Sequence, residues 1–145
     1  MRISIASDHG GFEQKQQLVR YLEEKGLGVI DRGPDSDSSV DYPDFAELAC
    51  KDVQSGEARF AVLACGTGIG MAIAANKMRG IRAANVTDPE FARLSREHND
   101  ANVITLSGRF VALDENERIL DAFLDASFGG ERHQRRVDKI MALEG

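Results

Sequence analysis

Apolar residues along this chain occur either in short continuous runs or at helical spacing, three or four positions apart. Continuous runs are typical of strands buried on both faces of a sheet, and helical spacing indicates helices with one inward face. Strands are predicted at residues 2–7, 29–30, 60–64, 81–86 and 103–106. Helices are predicted at residues 12–26, 41–56, 71–78, 87–100, 115–128 and 131–143. Residues 33–39 are polar and rich in turn formers, which indicates a loop.

Local signals predict how two of these helices begin. Asp41 precedes Tyr42-Pro43 and is expected to cap the second helix, with the proline in its first turn. Thr87 and Glu90 have the spacing of a capping box, which predicts the start of the fourth helix. The residues expected on the inner face of the second helix are Phe45, Leu48, Ala49 and Val53.

The alternation of strands and helices predicts an α/β fold: three layers around a doubly wound, five-stranded parallel sheet of Rossmann-like type. A single domain is expected over residues 1–145, because a chain of this length buries roughly 68–70% of its unfolded surface without disulfide or metal staples. Ligands of such folds bind beyond the carboxyl ends of the strands. The segments expected to carry chemistry are therefore residues 8–9, the loop before Tyr42, and residues 65–70, 87–88 and 107–109.

Charge and composition exclude several classes of partner. The net charge is −6, from 18 Lys and Arg against 24 Asp and Glu, which argues against nucleic acid and anionic membranes. The longest apolar run, residues 60–65, is far below the ~18–20 residues of a membrane span. Arg2 is the only basic residue near the N-terminus and no signal-peptide apolar region follows, so a cytoplasmic location is expected. Cys50 and Cys65 are expected to be free thiols there.

A glycine-rich loop, Gly66, Gly68 and Gly70, follows a buried strand and opens a helix. Its backbone N–H groups and the helix N-terminus are suited to one negative group. Met71 stands where a dinucleotide-binding fingerprint would need its third glycine, and no Gly-Lys-Ser/Thr of a Walker loop follows. A generic loop of this kind is also compatible with a tight turn that binds no ligand.

Three side chains at loop edges are candidates for acid–base work. Cys65 lies immediately before the glycine loop, where a helix N-terminus favours the thiolate as base or nucleophile. The alternative is an inert buried residue, which is the interpretation for Cys50 inside its helix. His9 and His98 lie at loop edges or helix ends and suit acid–base or phosphate contacts, although polar loop histidines fit the same pattern. Neither histidine has metal-ligand spacing, so no metal site is predicted.

The last predicted helix carries a run of basic residues. Arg132 and Arg136 are four positions apart and lie on one face, with His133 and Arg135 beside them. An arginine pair of this kind fits the geometry of a phosphate. A solvated basic helix end is the alternative.

Seven segments of the chain match one known family in order from the first strand to the last helix. They are residues 7–12 (SDHGGF), 41–43 (DYP), 65–70 (CGTGIG), 74–77 (AANK), 80–83 (GIRA), 95–100 (SREHND) and 132–137 (RHQRRV). Together they closely resemble the type B ribose-5-phosphate isomerases of the ribose/galactose-6-phosphate isomerase family. The resemblance implies an aldose–ketose isomerase of ribose 5-phosphate and ribulose 5-phosphate that works through an enediolate without metal or organic cofactor. It also implies a five-stranded parallel sheet, and a homodimer or dimer of dimers whose active site takes residues from both subunits.

The same resemblance implies roles for individual residues. Cys65 is the base that moves the proton between C1 and C2, Thr67 assists at the neighbouring oxygen, and His98 helps to open the furanose ring. The enediolate is held by the amides of the loop, namely Gly66, Thr67, Gly68, Ile69 and Gly70. Sugar hydroxyls are contacted by Asp8, Tyr42 and Asn99. The phosphate is bound by His9, Arg109, Arg132 and Arg136.

Other functions remain open at the level of sequence. One branch of the family uses a glutamate just after the glycine loop, where this chain has Met71, so the resemblance points to the thiol branch. Relatives acting on galactose 6-phosphate or allose 6-phosphate share these motifs and are not distinguished by them. A non-catalytic receiver-like or flavodoxin-like module is a further alternative. A receiver needs an aspartate where Cys65 stands, and a flavodoxin needs a Ser/Thr-rich loop where residues 8–11 stand.

Overall fold

The computed structural model describes residues 1–145, in which a five-stranded parallel sheet carries helices on both faces. The strands are β1 (Arg2–Ser7), β2 (Gly28–Asp31), β3 (Phe60–Cys65), β4 (Ala83–Asn85) and β5 (Val103–Ser107). The helices are α1 (Phe12–Glu24), α2 (Tyr42–Ser55), α3 (Ile69–Ala75), α4 (Pro89–Asn99), α5 (Leu113–Asp125) and α6 (Arg132–Ala142), with a short 3-10 turn at His9–Gly11. The predicted three-layer, doubly wound α/β architecture is confirmed. No helix is long and apolar enough to cross a bilayer.

The strand order β2-β1-β3-β5-β4 determines where a ligand site forms. The chain leaves β1 to build β2 on one side, then returns to β3 and continues toward the other side. This reversal creates a crevice at the carboxyl ends of β1 and β3, which is the usual ligand position in open parallel sheets. The register pairs Ser7 with Ala64 and Cys65 with Ser107, so the loops after β1, β3 and β5 meet at one edge.

Alternating residues of the central strand β3 build a separate apolar core on each side of the sheet. Phe60, Val62 and Ala64 pack with residues of α1, α4 and α5. Leu63 and Cys65 pack on the other face, with residues of α2 and α3. This two-sided burial explains why β3 is a continuous apolar run in the sequence.

The inner face of α2 differs from the prediction at one position. Leu48 is 43% exposed, whereas Ala46, Ala49 and Cys50 are buried. Small residues on the inner face let α2 approach the sheet closely, whereas the larger leucine is turned partly to solvent. Asp41 is the N-cap residue by backbone position, but its side chain makes no capping hydrogen bond.

The helix after the glycine loop begins and ends earlier than predicted. It starts at Ile69 instead of residue 71 and ends at Ala75 instead of residue 78. Asn76 follows it, donating from its side chain to the Ala83 carbonyl at 3.0 Å and accepting from the Ala83 amide at 2.8 Å. This polar link to the start of β4 replaces continued helix. The strand itself covers only Ala83–Asn85 of the predicted residues 81–86.

Two further helix ends also differ from the prediction. The expected Thr87–Glu90 capping box does not form, because Asp88 is the N-cap and accepts from the Phe91 amide at 3.0 Å. Glu90 pairs with Arg93 instead. The fifth helix covers Leu113–Asp125 in place of the predicted residues 115–128.

Candidate active site

The side chain of Asp8 stabilises the loop after β1 by hydrogen bonds. Its Oδ1 accepts hydrogen bonds from the amides of Gly10 at 2.8 Å and Gly11 at 3.2 Å, and its own amide donates to the Ala64 carbonyl at 3.1 Å. The carboxylate therefore caps the 3-10 turn and is fixed beside the end of β3. Oδ2 makes no hydrogen bond within the chain, so Asp8 keeps one free acceptor.

His9 is held by the loop that precedes α2. The amide of Val40 donates to its Nδ1 at 3.3 Å, which leaves Nε2 without a partner. The ring of Tyr42, at the start of α2, closes over the glycine loop: a Cβ added at Gly70 would lie 2.7 Å from that ring. Both side chains predicted as substrate contacts thus lie around the same crevice.

Cys65 ends β3 with its thiol turned toward the glycine loop. It is 5% exposed, and its Sγ accepts a hydrogen bond from the Gly68 amide at 3.1 Å. Gly68 has φ of 84°, and a side chain there would collide with Asn85 and with the Leu106 backbone. A glycine is therefore needed for this amide to face the sulfur, and the amide stabilises negative charge on it.

Two of the five loop amides already have acceptors within the chain. The Gly68 amide donates to Cys65, and the Ile69 amide donates to the hydroxyl oxygen of Thr67 at 3.1 Å. The amides of Gly66, Thr67 and Gly70 donate to no protein acceptor. Three free donors in the loop that follows Cys65 suit an oxyanion.

Arg109 reaches the same loop from the end of β5. Its amide donates to the Gly66 carbonyl at 3.2 Å, and the Gly108 amide donates to the Cys65 carbonyl at 2.8 Å. The guanidinium lies over the loops, since a Cβ added at Gly66 would lie 3.4 Å from Nη1. Arg109 makes no ion pair. We call this group the thiol cluster; it comprises Asp8, His9, Tyr42, Cys65, residues 66–70 and Arg109.

A second group lies where α4 ends beside the start of α6. The rings of His98 and His133 stack with centroids 4.3 Å apart and planes 14° from parallel, and the Gly129 amide donates to the Glu97 carbonyl at 2.9 Å. Burial holds the pKa of His133 below its ordinary value, and the neighbouring His98, Arg132 and Arg136 lower it further. We call this group the histidine cluster; it comprises His98, Asn99, Arg132, His133 and Arg136.

The two clusters lie at opposite ends of the strands. Helix α4 runs back toward the amino ends of the strands. There Nε of Arg82, the residue just before β4, donates a hydrogen bond to the Asp100 carbonyl at 2.8 Å. The amide of Asn102, just before β5, donates to the Arg82 carbonyl at 3.0 Å. Strand β5 has five residues, so it separates this end from Ser107 and the thiol loop by roughly 13 Å at 3.3 Å per residue. One chain therefore does not bring His98, Asn99, Arg132 and Arg136 to Cys65.

Sequence reasoning missed two residues, one that supports the thiol cluster and one that belongs to the histidine cluster. Asn85, at the end of β4, donates to the Thr67 carbonyl at 3.3 Å and to the Thr105 hydroxyl at 3.0 Å, so it holds the glycine loop from the side. Asn85 lies inside the predicted strand 81–86, so the sequence carries no signal for this role. His133 was noted only as a neighbour of the arginines, and its stacking on His98 depends on how α4 and α6 pack.

Other features of the chain bear less on this chemistry. No three His, Cys, Asp or Glu side chains are grouped for a metal ion. Both cysteines are free, as predicted, and burial raises the pKa of Cys50 to about 12. A cleft of about 680 Å³ is lined by residues 76–79, residues 81–84 and the C-terminal end of the chain; it includes Asn99 but not Cys65. That cleft therefore adjoins the histidine cluster and lies away from the thiol.

Comparison with known proteins finds close similarity along nearly the whole chain. The model of the family described as Ribose/Galactose Isomerase matches residues 3–140. Ribose-5-phosphate isomerase B of Escherichia coli is 45% identical over 143 residues, covering 99% of this chain and 96% of that protein. The structure of Clostridium thermocellum ribose-5-phosphate isomerase B superposes with a TM-score of 0.98 at 49% identity, covering 99% of this chain and 97% of that one. That of the Mycoplasma genitalium enzyme with bound ribulose-5-phosphate gives 0.94 at 46% identity, covering 99% and 95%.

Proposed function

The chain belongs to the ribose/galactose isomerase family, and from this premise we propose that it interconverts D-ribose 5-phosphate and D-ribulose 5-phosphate. It is an aldose–ketose isomerase, as its type B relatives are. The observation that carries the choice of chemistry is the thiol of Cys65 beside three unoccupied backbone amides and the unpaired Arg109. The pentose substrate is favoured by the relative whose structure contains ribulose-5-phosphate.

In the proposed reaction Cys65 acts as the base at the open-chain sugar. Its thiolate removes the proton from C2 of the aldose, and the electrons of that bond form the C1–C2 double bond of an enediolate. The amides of Gly66, Thr67 and Gly70 stabilise the oxygen that gains negative charge. The Thr67 hydroxyl moves a proton between the two neighbouring oxygens, and Cys65 returns its proton to C1. The product is the ketose, with no net oxidation and no metal or organic cofactor in the proposal.

The thiol cluster also provides the means to position the sugar. Asp8 through its free Oδ2, and Tyr42 through its hydroxyl, contact sugar hydroxyls. His9 and Arg109 bind the phosphate. Neither side chain forms an ion pair with a carboxylate of the chain, so both are available to it. Binding at this remote group orients C1 and C2 against the thiol, which lowers the barrier by fixing the reacting geometry.

A second copy of the chain completes the site in this proposal. In the thiol cluster His9 is assigned to the phosphate, which leaves no histidine for ring opening, and the histidine cluster contains no thiol to act at carbon. We propose that His98 of the partner subunit opens the ring and that the partner's Asn99 contacts the sugar. The partner's Arg132 and Arg136 add to the phosphate site. A homodimer, or a dimer of dimers, is then the working unit, since an isologous contact forms two such sites at once.

The decisive experiment measures ketose formation by the purified protein. Ribulose 5-phosphate formation from ribose 5-phosphate is followed in a coupled assay, and allose 6-phosphate and galactose 6-phosphate are tested in parallel for formation of their own ketoses. We expect the highest kcat/KM with ribose 5-phosphate. A higher value with a six-carbon sugar phosphate would replace the pentose as substrate. No turnover of any of the three would overturn the proposed function.

The role of the thiol is tested by Cys65→Ala with Cys50→Ala as the matched control. We expect Cys65→Ala to lower kcat by roughly 10²–10⁴-fold, the usual contribution of a positioned base. Cys50→Ala removes the other thiol, in the same apolar core, and is expected to keep kcat while lowering stability. Near-normal turnover by Cys65→Ala would remove the thiol from the mechanism.

A further inference from the structure

Two side-chain amides join α1 to α5 beneath the loop that carries Arg109. Asn116 Nδ2 donates to Gln14 Oε1 at 2.7 Å and to the Ser107 carbonyl at 3.0 Å. Gln14 Nε2 in turn donates to the carbonyls of Gly108 at 3.2 Å and Val111 at 2.7 Å. We call this pair the amide bridge. It satisfies three backbone carbonyls of residues 107–111 from one side.

The opposite side of the same loop is bonded to the thiol strand. The amides of Gly108 and Arg109 donate to the carbonyls of Cys65 and Gly66, and the Ser107 hydroxyl donates to the Gly66 carbonyl at 2.7 Å. The loop is thus held between the amide bridge and the residues around Cys65. Hydrogen bonds on both sides fix where the Arg109 backbone lies relative to the thiol.

The bridge is not explained by stability alone. Asn116 is fully buried, and its Oδ1 has no hydrogen-bond partner. A buried acceptor without a partner is unfavourable, and an apolar side chain at this helix position would avoid that cost. What an apolar side chain does not supply is the N–H donor that reaches Ser107 and orients Gln14. We therefore infer that Asn116 is needed to hold the Arg109 loop in position.

We propose that Gln14 and Asn116 are positioning residues that set the distance from the Cys65 thiol to the Arg109 guanidinium, and thereby the length of sugar phosphate that the site accepts. This inference rests on the proposed function, in which Cys65 acts at C1 and C2 and Arg109 binds the phosphate. A six-carbon substrate places its phosphate one carbon–carbon bond farther away, about 1.5 Å. A loop clamped from both sides favours one length, and a loosened loop accepts both.

The test compares Asn116→Leu and Gln14→Leu with Tyr21→Phe. Tyr21 also links α1 to α5, through a hydrogen bond to Asp121 at 2.7 Å, but its hydroxyl donates to no residue of the Arg109 loop. The measurements are kcat and KM for ribose 5-phosphate and allose 6-phosphate, and the affinity for inorganic phosphate by calorimetry. Urea unfolding of each variant provides the stability.

We expect both leucine variants to raise KM for ribose 5-phosphate and to weaken inorganic phosphate binding, each by roughly tenfold, with kcat within about threefold. The preference for five-carbon over six-carbon substrate should narrow. Tyr21→Phe should lose stability and keep every kinetic constant. Since Gln14 is only partly buried, Gln14→Leu keeps the test valid if Asn116→Leu fails to fold.

Three outcomes would overturn the inference: unchanged KM and phosphate affinity in the folded leucine variants, an unchanged substrate preference, or the same kinetic losses in Tyr21→Phe. Failure of the proposed function gives a different result. The wild-type protein would then turn over no sugar phosphate, while calorimetry with inorganic phosphate would still report whether the bridge positions Arg109.

Discussion

His9 has only one ring nitrogen available for a phosphate. Its Nδ1 accepts the Val40 amide, so the neutral ring carries its proton on Nε2, which has no partner in the chain. The loop before α2 thereby sets the tautomer as well as the ring orientation. From the sequence alone, His9 could be an acid–base group or a polar loop histidine. The structure makes it a hydrogen-bond donor with a fixed direction.

This tautomer predicts different effects for two substitutions of His9. A glutamine side chain reaches the position of Nε2 with an N–H donor, whereas asparagine reaches only the position of Nδ1. We expect His9→Asn to raise KM for ribose 5-phosphate by roughly tenfold and His9→Gln by clearly less, since only the latter keeps the phosphate donor. Steady-state kinetics measure the difference. Equal effects, or the reverse order, would contradict a phosphate contact through Nε2.

His133 makes the stability of the protein depend on pH. Its pKa in the folded chain lies below the ordinary value of 6.5, chiefly because of burial and then because of the positive groups beside it. Between those two pKa values the unfolded chain binds more protons than the folded chain. The contribution is therefore fully present above pH 6.5 and is lost as the pH falls through the folded pKa.

We expect the stability difference between the wild type and His133→Asn to shrink as the pH is lowered from 7.5 through 6.5 to 5.5, which are about the values that bracket the titration of histidine. Urea unfolding at each pH measures it. The difference between the two proteins cancels the titrations of groups that are remote from His133. If the difference in unfolding free energy stays constant with pH, the pKa of His133 is not lowered in the folded chain.

At the scale of elements, the sequence predicts strands better than helix ends. The continuous apolar run of β3 follows from its burial on both faces, and the structure confirms it. Helix ends depend on polar contacts with distant residues, as where Asn76 ends α3 by bonding Ala83. Such contacts form only when the sheet is assembled, so spacing along the chain does not reveal them.

The start of α6 holds a backbone conformation that suits glycine. Glu131 has φ of 52° and ψ of −122°, and the His133 amide donates to the Gly130 carbonyl at 2.9 Å. This is the geometry of the first central residue of a type II′ turn, where a side chain is strained. The strain lies immediately before Arg132, in the segment that presents the histidine cluster.

We expect Glu131→Gly to stabilise the protein by about 1 kcal/mol, because relief of the strained backbone outweighs the added freedom of the unfolded chain. Glu131→Gln removes the charge but keeps the side chain, and it should leave stability nearly unchanged. Urea unfolding of both variants decides the matter. If the glutamine variant gains as much stability as the glycine variant, the gain comes from removing the charge of Glu131 near the arginines and not from relief of backbone strain.

At the scale of the whole molecule, the distribution of charge matters more than its sum. The chain is acidic, yet the arginines of the proposed phosphate site make no ion pair, namely Arg109, Arg132 and Arg136. Five other arginines are paired with carboxylates, namely Arg32, Arg82, Arg93, Arg96 and Arg118. The remaining arginines also lack an ion pair, so it is the position of Arg109, Arg132 and Arg136 in the two clusters, together with their free charge, that marks them as candidate phosphate ligands. Cations left without counterions are available to a dianionic phosphate.

Motifs supplied the candidate residues of this site, but not the division between subunits that we propose for them. Cys65 and Arg109 meet in one chain because parallel strands end at one edge of the sheet. His98 lies in the last turn of α4, a helix that runs back to the other edge, and the order of elements alone implies this once the sheet is known to be parallel. The sequence gives no signal for which surface of a second chain faces that edge.

The proposed division of the site between two subunits predicts that two defective variants restore activity when they are combined in one dimer. Cys65→Ala damages the thiol cluster, and the double change Arg132→Ala with Arg136→Ala damages the histidine cluster. In a mixed dimer one site combines both defects, while the other combines an intact thiol cluster with intact partner arginines. Because half of the dimers in an equal mixture are mixed, about a quarter of all sites should be wild type.

The two variants, carrying different affinity tags, would be unfolded together, refolded and assayed at low ribose 5-phosphate. We expect about a quarter of the wild-type activity, well above that of either variant refolded alone. Mixing the folded proteins without subunit exchange is the control and should give only the mean of the two. A refolded mixture no more active than that mean would place the whole site within one chain, and the histidine cluster would then have no part in the reaction.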